Sequence, residues 1–359
     1  MLTLLIAGVA AAEDIAPADA SKKPENTLWL LTLHWENDGT VLKPNHNTDR
    51  YYTNGFVASF TLRDTEPAQL IDLLPAFDDF TVGHRAFGIA LGHHINTAND
   101  ITLVNPPLND HPYSGYLYLA GFWERSNADT LDHVEVNAGV VGPSSYADDI
   151  QAGVHDFFDE PNPEGWDTQL GDEPVIQFYF RKKWKFGDKP AYPTWTGQGF
   201  VAPAPMTAPA GDGAANPLQF QVIPQVGLAL GLAQRHLEGG ALVRVGWNLP
   251  DDFGPSRIAD LTANGFGQPG VLAVYGFARV GGRIVEHDMF IEGSNFEKSR
   301  GAEAETFVGE AQAGVGIAWR ADCFDLHATY SQTVLSQQFE GQNGTHAFGA
   351  LTFGVRVRF

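Results

Sequence analysis

After residue 26 the chain alternates apolar residues with small or polar ones, the two-residue period of a pleated strand. Tyr116, Tyr118, Ala120 and Phe122 share one strand face. Val134, Val136, Ala138 and Val140 share another, opposite Glu135, Asn137 and Gly139. Val226, Leu228, Leu230 and Leu232 alternate with Gly227, Ala229 and Gly231. Val243, Val245 and Trp247 alternate with Arg244, Gly246 and Asn248, and Ala313, Val315, Ile317 and Trp319 with Gly314, Gly316 and Ala318. Apolar faces suit lipid, and small or polar faces suit a crowded or wet interior. The last run sets Leu351, Phe353, Val355, Val357 and Phe359 against Thr352, Gly354, Arg356 and Arg358, and stops on an aromatic residue. Such runs amount to roughly twelve strands, the even number that bacterial barrels require. The pattern predicts an all-β transmembrane antiparallel barrel. A soluble periplasmic β-protein shares the alternation, but not an aromatic-ended final strand together with an export signal.

One stretch breaks the period. Gly142-Pro143 closes a strand, and Ser145 with Asp148 three residues later forms a capping-box start. Tyr146 to Phe158 then reads as a short external-loop helix. Ile150, Val154 and Phe157 make an apolar stripe, and Gln151 and His155, four apart, share one face. Residues 188–217 are rich in Pro, Ala and Gly and read as a loop insertion. Leu2 to Val9 is a short apolar core followed by Ala10-Ala11-Ala12, so residues 1–12 are expected to be an export signal, although the usual basic start is missing. Residues 13–27 read as a disordered leader and 28–359 as a single barrel domain.

Composition narrows the function classes. Hydrophobic types make up 43% of 359 residues and mean hydropathy is −0.17. No run offers the ~18 consecutive apolar residues of a spanning helix, which a barrel does not need. A formal net charge of −21 argues against nucleic acid as a partner. The acidity fits well-solvated loops first, and carboxylates that hold a divalent cation as the alternative. Cys323 is the only cysteine, so no intrachain disulfide forms, and it is expected to be inert packing.

Strand parity places candidate chemistry. If the N-terminus is periplasmic, strands near 28–36, 84–95 and 131–142 climb outward. The loops 37–50 and 96–113 and the 145–158 helix then share the outer rim. Asn37, Asp38, Asp49, Thr53, Asp110 and His155 converge there. The same parity makes 64–83 and 188–217 periplasmic connections, longer than barrels usually keep. Neutral histidine is a competent general base toward water, and His155 is also an ordinary residue for a solvated helix. Asn37, Asp38 and Asp49 are oxygen donors of the kind calcium accepts, although Asn37-Asp38-Gly39 also reads as a plain turn. No Gly-x-Ser-x-Gly elbow is present, so an α/β-hydrolase serine is not indicated.

Several ordered blocks carry a resemblance. They are Glu36-Asn37-Asp38, Thr48-Asp49-Arg50-Tyr51-Tyr52-Thr53-Asn54-Gly55, Asp110-His111-Pro112-Tyr113-Ser114-Gly115, and Gly142-Pro143 with Gln151 and His155. Asp252-Phe253-Gly254-Pro255, Gly293-Ser294-Asn295-Phe296, Glu340-Gly341-Gln342 and His346-Ala347-Phe348-Gly349 follow. The set resembles the lipid A 3′-O-deacylase family of outer-membrane barrels over nearly all of the chain after residue 28. The resemblance implies calcium-dependent hydrolysis of an acyl ester on lipid A of lipopolysaccharide, by a monomer in the bacterial outer membrane. The active site would lie between the barrel wall and an external-loop helix. By position, His155 matches the general base, Gln151 a residue lining the site, Asn37 and Asp38 the essential pair near the metal, and Thr53 an essential threonine. Asp110, His111 and Tyr113 fall in a block that the resemblance links to substrate. There His111 stands where the family has arginine, and neutral histidine cannot clamp a phosphate bidentately. Lys43 and Arg50 are the nearby cations that could compensate. The rival reading is a barrel of the same fold with a structural or transport role.

Overall fold

The computed structural model describes residues 29–39, 49–81, 83–188, 218–263, 271–321 and 324–357. The expected export signal and leader, Lys43, Cys323, Phe359 and most of the 188–217 insertion lie outside them. The strands are β1 (Trp29–Asn37), β2 (Tyr51–Arg63), β3 (His84–Thr97), β4 (Ser114–Ser126), β5 (Thr130–Val141) and β6 (Glu173–Trp184, continued by Phe186–Gly187). They continue as β7 (Gln219–Gly231), β8 (Gln234–Trp247), β9 (Ala273–Asp288), β10 (Phe307–Arg320), β11 (Phe324–Leu335) and β12 (His346–Val357). Each pairs antiparallel with its neighbour, and β1 pairs with β12, Trp29 opposite Val357, so the sheet of twelve strands closes. Closure leaves no long unpaired edge.

The alternation sorts side chains as the sequence predicts. Leu31, Leu33, Phe56, Ile89, Leu119, Ile176, Val315, Ile317, Leu351 and Phe353 form an exposed apolar belt. Thr32, His34, Asn137, Gln177, Arg244, Thr352 and Arg356 are buried inside. β4 departs from the rule. Its aromatic face, Tyr116, Tyr118 and Phe122, turns inward and is 1–2% exposed, while Leu119 on the other face is 67% exposed. The cause sits across the ladder. Gly88 opposes Phe122 and Gly92 opposes Tyr118, and a Cβ at either glycine would stand 2.1 Å from the ring. The rings fill the space that the glycines leave.

The lumen is plugged. After β8, residues 248–263 fold back into the barrel. Asp260 accepts from Lys183 at 2.6 Å and lies 3.6 Å from Arg279, Arg257 pairs with Glu310 at 2.5 Å, and the Ala263 amide donates to Glu124 at 3.0 Å. Arg244, fully buried, binds Asp252 at 2.5 Å and the Pro250 carbonyl at 2.8 Å. Above the plug a cavity of about 210 Å³ remains, lined by Glu36, Tyr52, Tyr118, Arg181, Arg279 and Glu310 among others. A path obstructed by ion-paired side chains carries little current. The intact protein is therefore expected to show no steady single-channel conductance in planar bilayers. A stable open level would mean that the plug leaves the lumen.

Candidate active site

The helix α1 (Ala147–Phe158) follows β5, as the pattern predicts, but its start differs. The expected capping box does not form. The Ser145 hydroxyl instead donates to the Gly142 carbonyl at 2.6 Å, and Tyr146 enters the helix with φ 60° and no side-chain cap. Ser145 is drawn down because it packs on the wall, where a Cβ at Gly115 would meet its hydroxyl.

The faces of α1 are inverted relative to a soluble amphipathic helix. Ala147, Gln151 and His155, at i, i+4 and i+8, are buried. Ile150, Val154 and Phe157 are exposed at 44%, 46% and 81%. The buried face meets the outside of the barrel wall, not the lumen. On β3, His94 and Asn96 line the lumenal cavity, so His93, Ile95 and Thr97 point outward by the pleat. They are nonetheless 9%, 2% and 0% exposed, because α1 and its flanking loops cover them. Ile95, Ala98, Tyr113, Ala147 and Trp166 form one apolar cluster there, and His93 Nε2 bonds the Ser145 carbonyl at 3.1 Å.

His155 is fixed from one side. Its Nδ1 lies 2.7 Å from the Pro161 carbonyl, an acceptor only, so Nδ1 carries the proton. Nε2 is then the basic nitrogen, and it lies 3.5 Å from Asp49 Oδ2. Gln151, one turn earlier, accepts from the Trp166 indole at 3.0 Å. Trp166 packs edge-on to Tyr113 with centroids 5.0 Å apart. Asp38 accepts from the Arg50 backbone amide at 2.9 Å, and its own amide donates to the Thr53 carbonyl at 3.1 Å. Asn37 donates to the same carbonyl at 3.3 Å and accepts from the Gly39 amide at 2.8 Å, which makes it both turn brace and site neighbour. Thr53 sits at a bulge in the β2–β3 register and donates to the Ile95 carbonyl at 3.3 Å, on the covered side of the wall.

The electrostatics join Asp38, Asp49 and His155. Burial, then the neighbouring Asp49 carboxylate, push Asp38 well above the usual carboxylate range. Burial raises Asp49 as well, against the opposing pull of His155. Two hard-oxygen donors close enough to repel suit a divalent cation, which would relieve that repulsion. Among the described residues no three acidic, histidine or cysteine side chains cluster, so other oxygens would come from backbone, amides or water.

Asp110 and His111 stand elsewhere. Asp110 accepts from the Asn99 amide at 3.0 Å and the His111 amide at 2.8 Å, shaping the loop. His111 lines the lumenal cavity beside Tyr51 and Phe339, and burial lowers it to about 4. Of the three residues linked to substrate, Tyr113 alone joins the apolar cluster under α1. Arg50 lies over the Tyr51 ring at 5.3 Å, held by the Asn343 and Thr345 carbonyls. The sequence reading missed Pro161 and Trp166. Trp166 had a signal, a lone Gly-Trp after the helix, but a backbone carbonyl such as that of Pro161 leaves none.

The family model described as Outer membrane protein LpxR matches residues 1–357. Among solved structures, LpxR from Salmonella typhimurium superposes with a TM-score of 0.65 at 14% identity, over 92% of this chain and 100% of that one. The translocator domain of the autotransporter NalP from Neisseria meningitidis aligns over 94% and 90% at 10% identity, with a TM-score of only 0.39. No curated protein matches the chain.

Proposed function

Since the chain belongs to the LpxR family of outer-membrane proteins, we propose that it hydrolyses an acyl ester of lipid A at the outer wall of its barrel. The observation that carries this reading is His155, a buried imidazole on a helix pressed against the outer wall. Its Nδ1 donates to Pro161, and its Nε2 faces Asp49. A base on that side of the wall lies next to the lipid-facing surface, whereas one in the plugged lumen would not. Water gives its proton to His155 Nε2 as its oxygen attacks the ester carbonyl, and the imidazolium then protonates the departing alkoxide. The products are a free fatty acid and an alcohol on the sugar. Asp49 stabilises the positive charge that His155 carries between the two transfers. Gln151, held by Trp166, and Thr53, held by Ile95, shape the floor on which the ester lies. Asp38 and Asp49 would hold calcium, with Asn37 bracing their turn. When bound, the ion supplies positive charge against which the developing oxyanion is stabilised.

The test is to incubate the detergent-solubilised protein with hexa-acylated lipid A, with calcium or with chelator, and weigh the products. Calcium-dependent loss of one acyloxyacyl unit is expected, and an unchanged mass under both conditions refutes the reading. A second readout does not need turnover. Asp38 and Asp49 are both raised above the usual carboxylate range, so the fold loses stability as pH rises beyond that range and the buried pair is driven to ionise. Calcium is therefore expected to raise the unfolding temperature more at neutral pH than in acid. An equal shift at both would remove the ion from these carboxylates.

A further inference from the structure

The long connection between β2 and β3 was at odds with the short turns expected at that end of a barrel. It forms a braced collar. The 3-10 helix Pro67–Leu73 leads it, with Ala68, Ile71 and Phe80 buried beneath. Arg125 donates to the carbonyls of Ile71, Leu74 and Pro75 at 3.3, 3.0 and 2.5 Å. The Trp123 indole donates to Pro67 at 3.2 Å, Arg85 binds Asp72 at 2.9 Å and the Phe80 carbonyl at 3.0 Å, and Lys182 pairs with Asp78.

These anchors say which side of the wall the collar covers. Glu124 on β4 faces inward, since it accepts from the plug at Ala263, so Trp123 and Arg125 face outward. Lys183 on β6 faces inward to Asp260, so Lys182 faces outward. The collar therefore lies against the outside of the wall, at the end opposite α1. It presents Leu70, Leu73, Leu74 and Phe77, exposed at 53%, 82%, 43% and 78%. Rigid backbone holds these four side chains out, so their exposure is not the loose end of a mobile loop. They continue the apolar belt of Ile89, Leu91 and Leu119 on the strands above, through the outward Phe87–Trp123 ring pair, 5.3 Å apart.

We infer that the 64–81 collar is a lipid-binding surface, which buries Leu70, Leu73, Leu74 and Phe77 in the interface of the leaflet opposite α1. Its occupant is bilayer, because the patch is continuous with the belt that an outer-membrane barrel already gives to lipid. Three of its carboxylates are paired with cations at the wall: Asp64 and Asp72, half exposed, with His84 and Arg85, and Asp78 with Lys182. The inference rests on the barrel lying in a membrane and not on the esterase reading.

The test uses single cysteines at Leu73→Cys and Phe77→Cys in a Cys323→Ser chain, each labelled with an environment-sensitive fluorophore. The folded protein is reconstituted in phosphatidylcholine/phosphatidylglycerol vesicles formed with iodide on both sides, or with nitroxide-bearing lipid. Ile89→Cys serves as the lipid reference and Glu160→Cys as the aqueous one. Both collar labels are expected to emit blue-shifted light and to be quenched several-fold more by the lipid nitroxide than by iodide, as at Ile89. Emission and quenching like those at Glu160 would overturn the inference and leave the patch open to a soluble protein partner. Exposed positions tolerate cysteine, and heat-modifiable migration on gels confirms folding of each variant before it is read.

Discussion

His155→Ala is expected to lower the rate of acyl release from lipid A by about 10²–10⁴-fold, the usual contribution of a positioned general base. The barrel should keep its heat-modifiable migration. The loss should fall on kcat, because the imidazole acts on water in the transition state and not on the bound substrate. His155→Gln keeps the volume and removes the base, so it should be as slow as alanine. Asp38→Ala is expected to abolish activity too, but by removing one of the two carboxylates that would hold the cation. The two variants therefore separate on one measurement. Added calcium should still raise the unfolding temperature of His155→Ala, whereas that response should be lost in Asp38→Ala. Full activity in either variant refutes its role. If His155→Ala lost its barrel migration, the slow rate would report folding, and the Gln variant would decide.

The barrel was legible because its signal repeats. Each strand offers several alternating positions, and closure needs only that they agree. The convergence of Asn37, Asp38, Asp49 and His155 at one rim was legible for the same reason, since parity follows from counting strands. What parity cannot give is the side of the wall. Thr53 lies on the outer face only because a bulge beside Tyr52 breaks the register, and no residue type announces a bulge. The side to which the β4 aromatic face turns was not legible, because inward or outward is decided across the ladder by Gly88 and Gly92, not by hydrophobicity along the strand. The helix start was misread at Ser145, whose hydroxyl found a carbonyl below it before it could reach the helix amides. His111 was expected to face substrate, and its loop turns it over the lumen instead. The plug was invisible altogether. Residues 248–263 carry no period, and they belong inside because Lys183, Arg279 and Glu310, on three separate strands, each find a partner there.

Those partners make the plug the other place where one atom should matter most. Asp260→Asn keeps the shape of the side chain and removes its charge. Lys183 is 0% exposed and its ammonium lies 2.6 Å from Asp260, with Arg279 at 3.6 Å from the same oxygen. Removing one member of a buried pair leaves the others charged without compensation, which costs about 3–5 kcal/mol. The outward belt is untouched, so insertion into a bilayer should persist while the interior loosens. The expected result is a lower urea midpoint in detergent, together with conductance that flickers in planar bilayers where the parent chain is silent. Pairing the change with Lys183→Met removes both charges and should recover much of the stability, because an apolar replacement of a buried pair is often tolerated. That recovery is the discriminating arm. If the double variant were as unstable as the single one, Asp260 would matter through shape, and charge compensation would not be what holds the lumen shut.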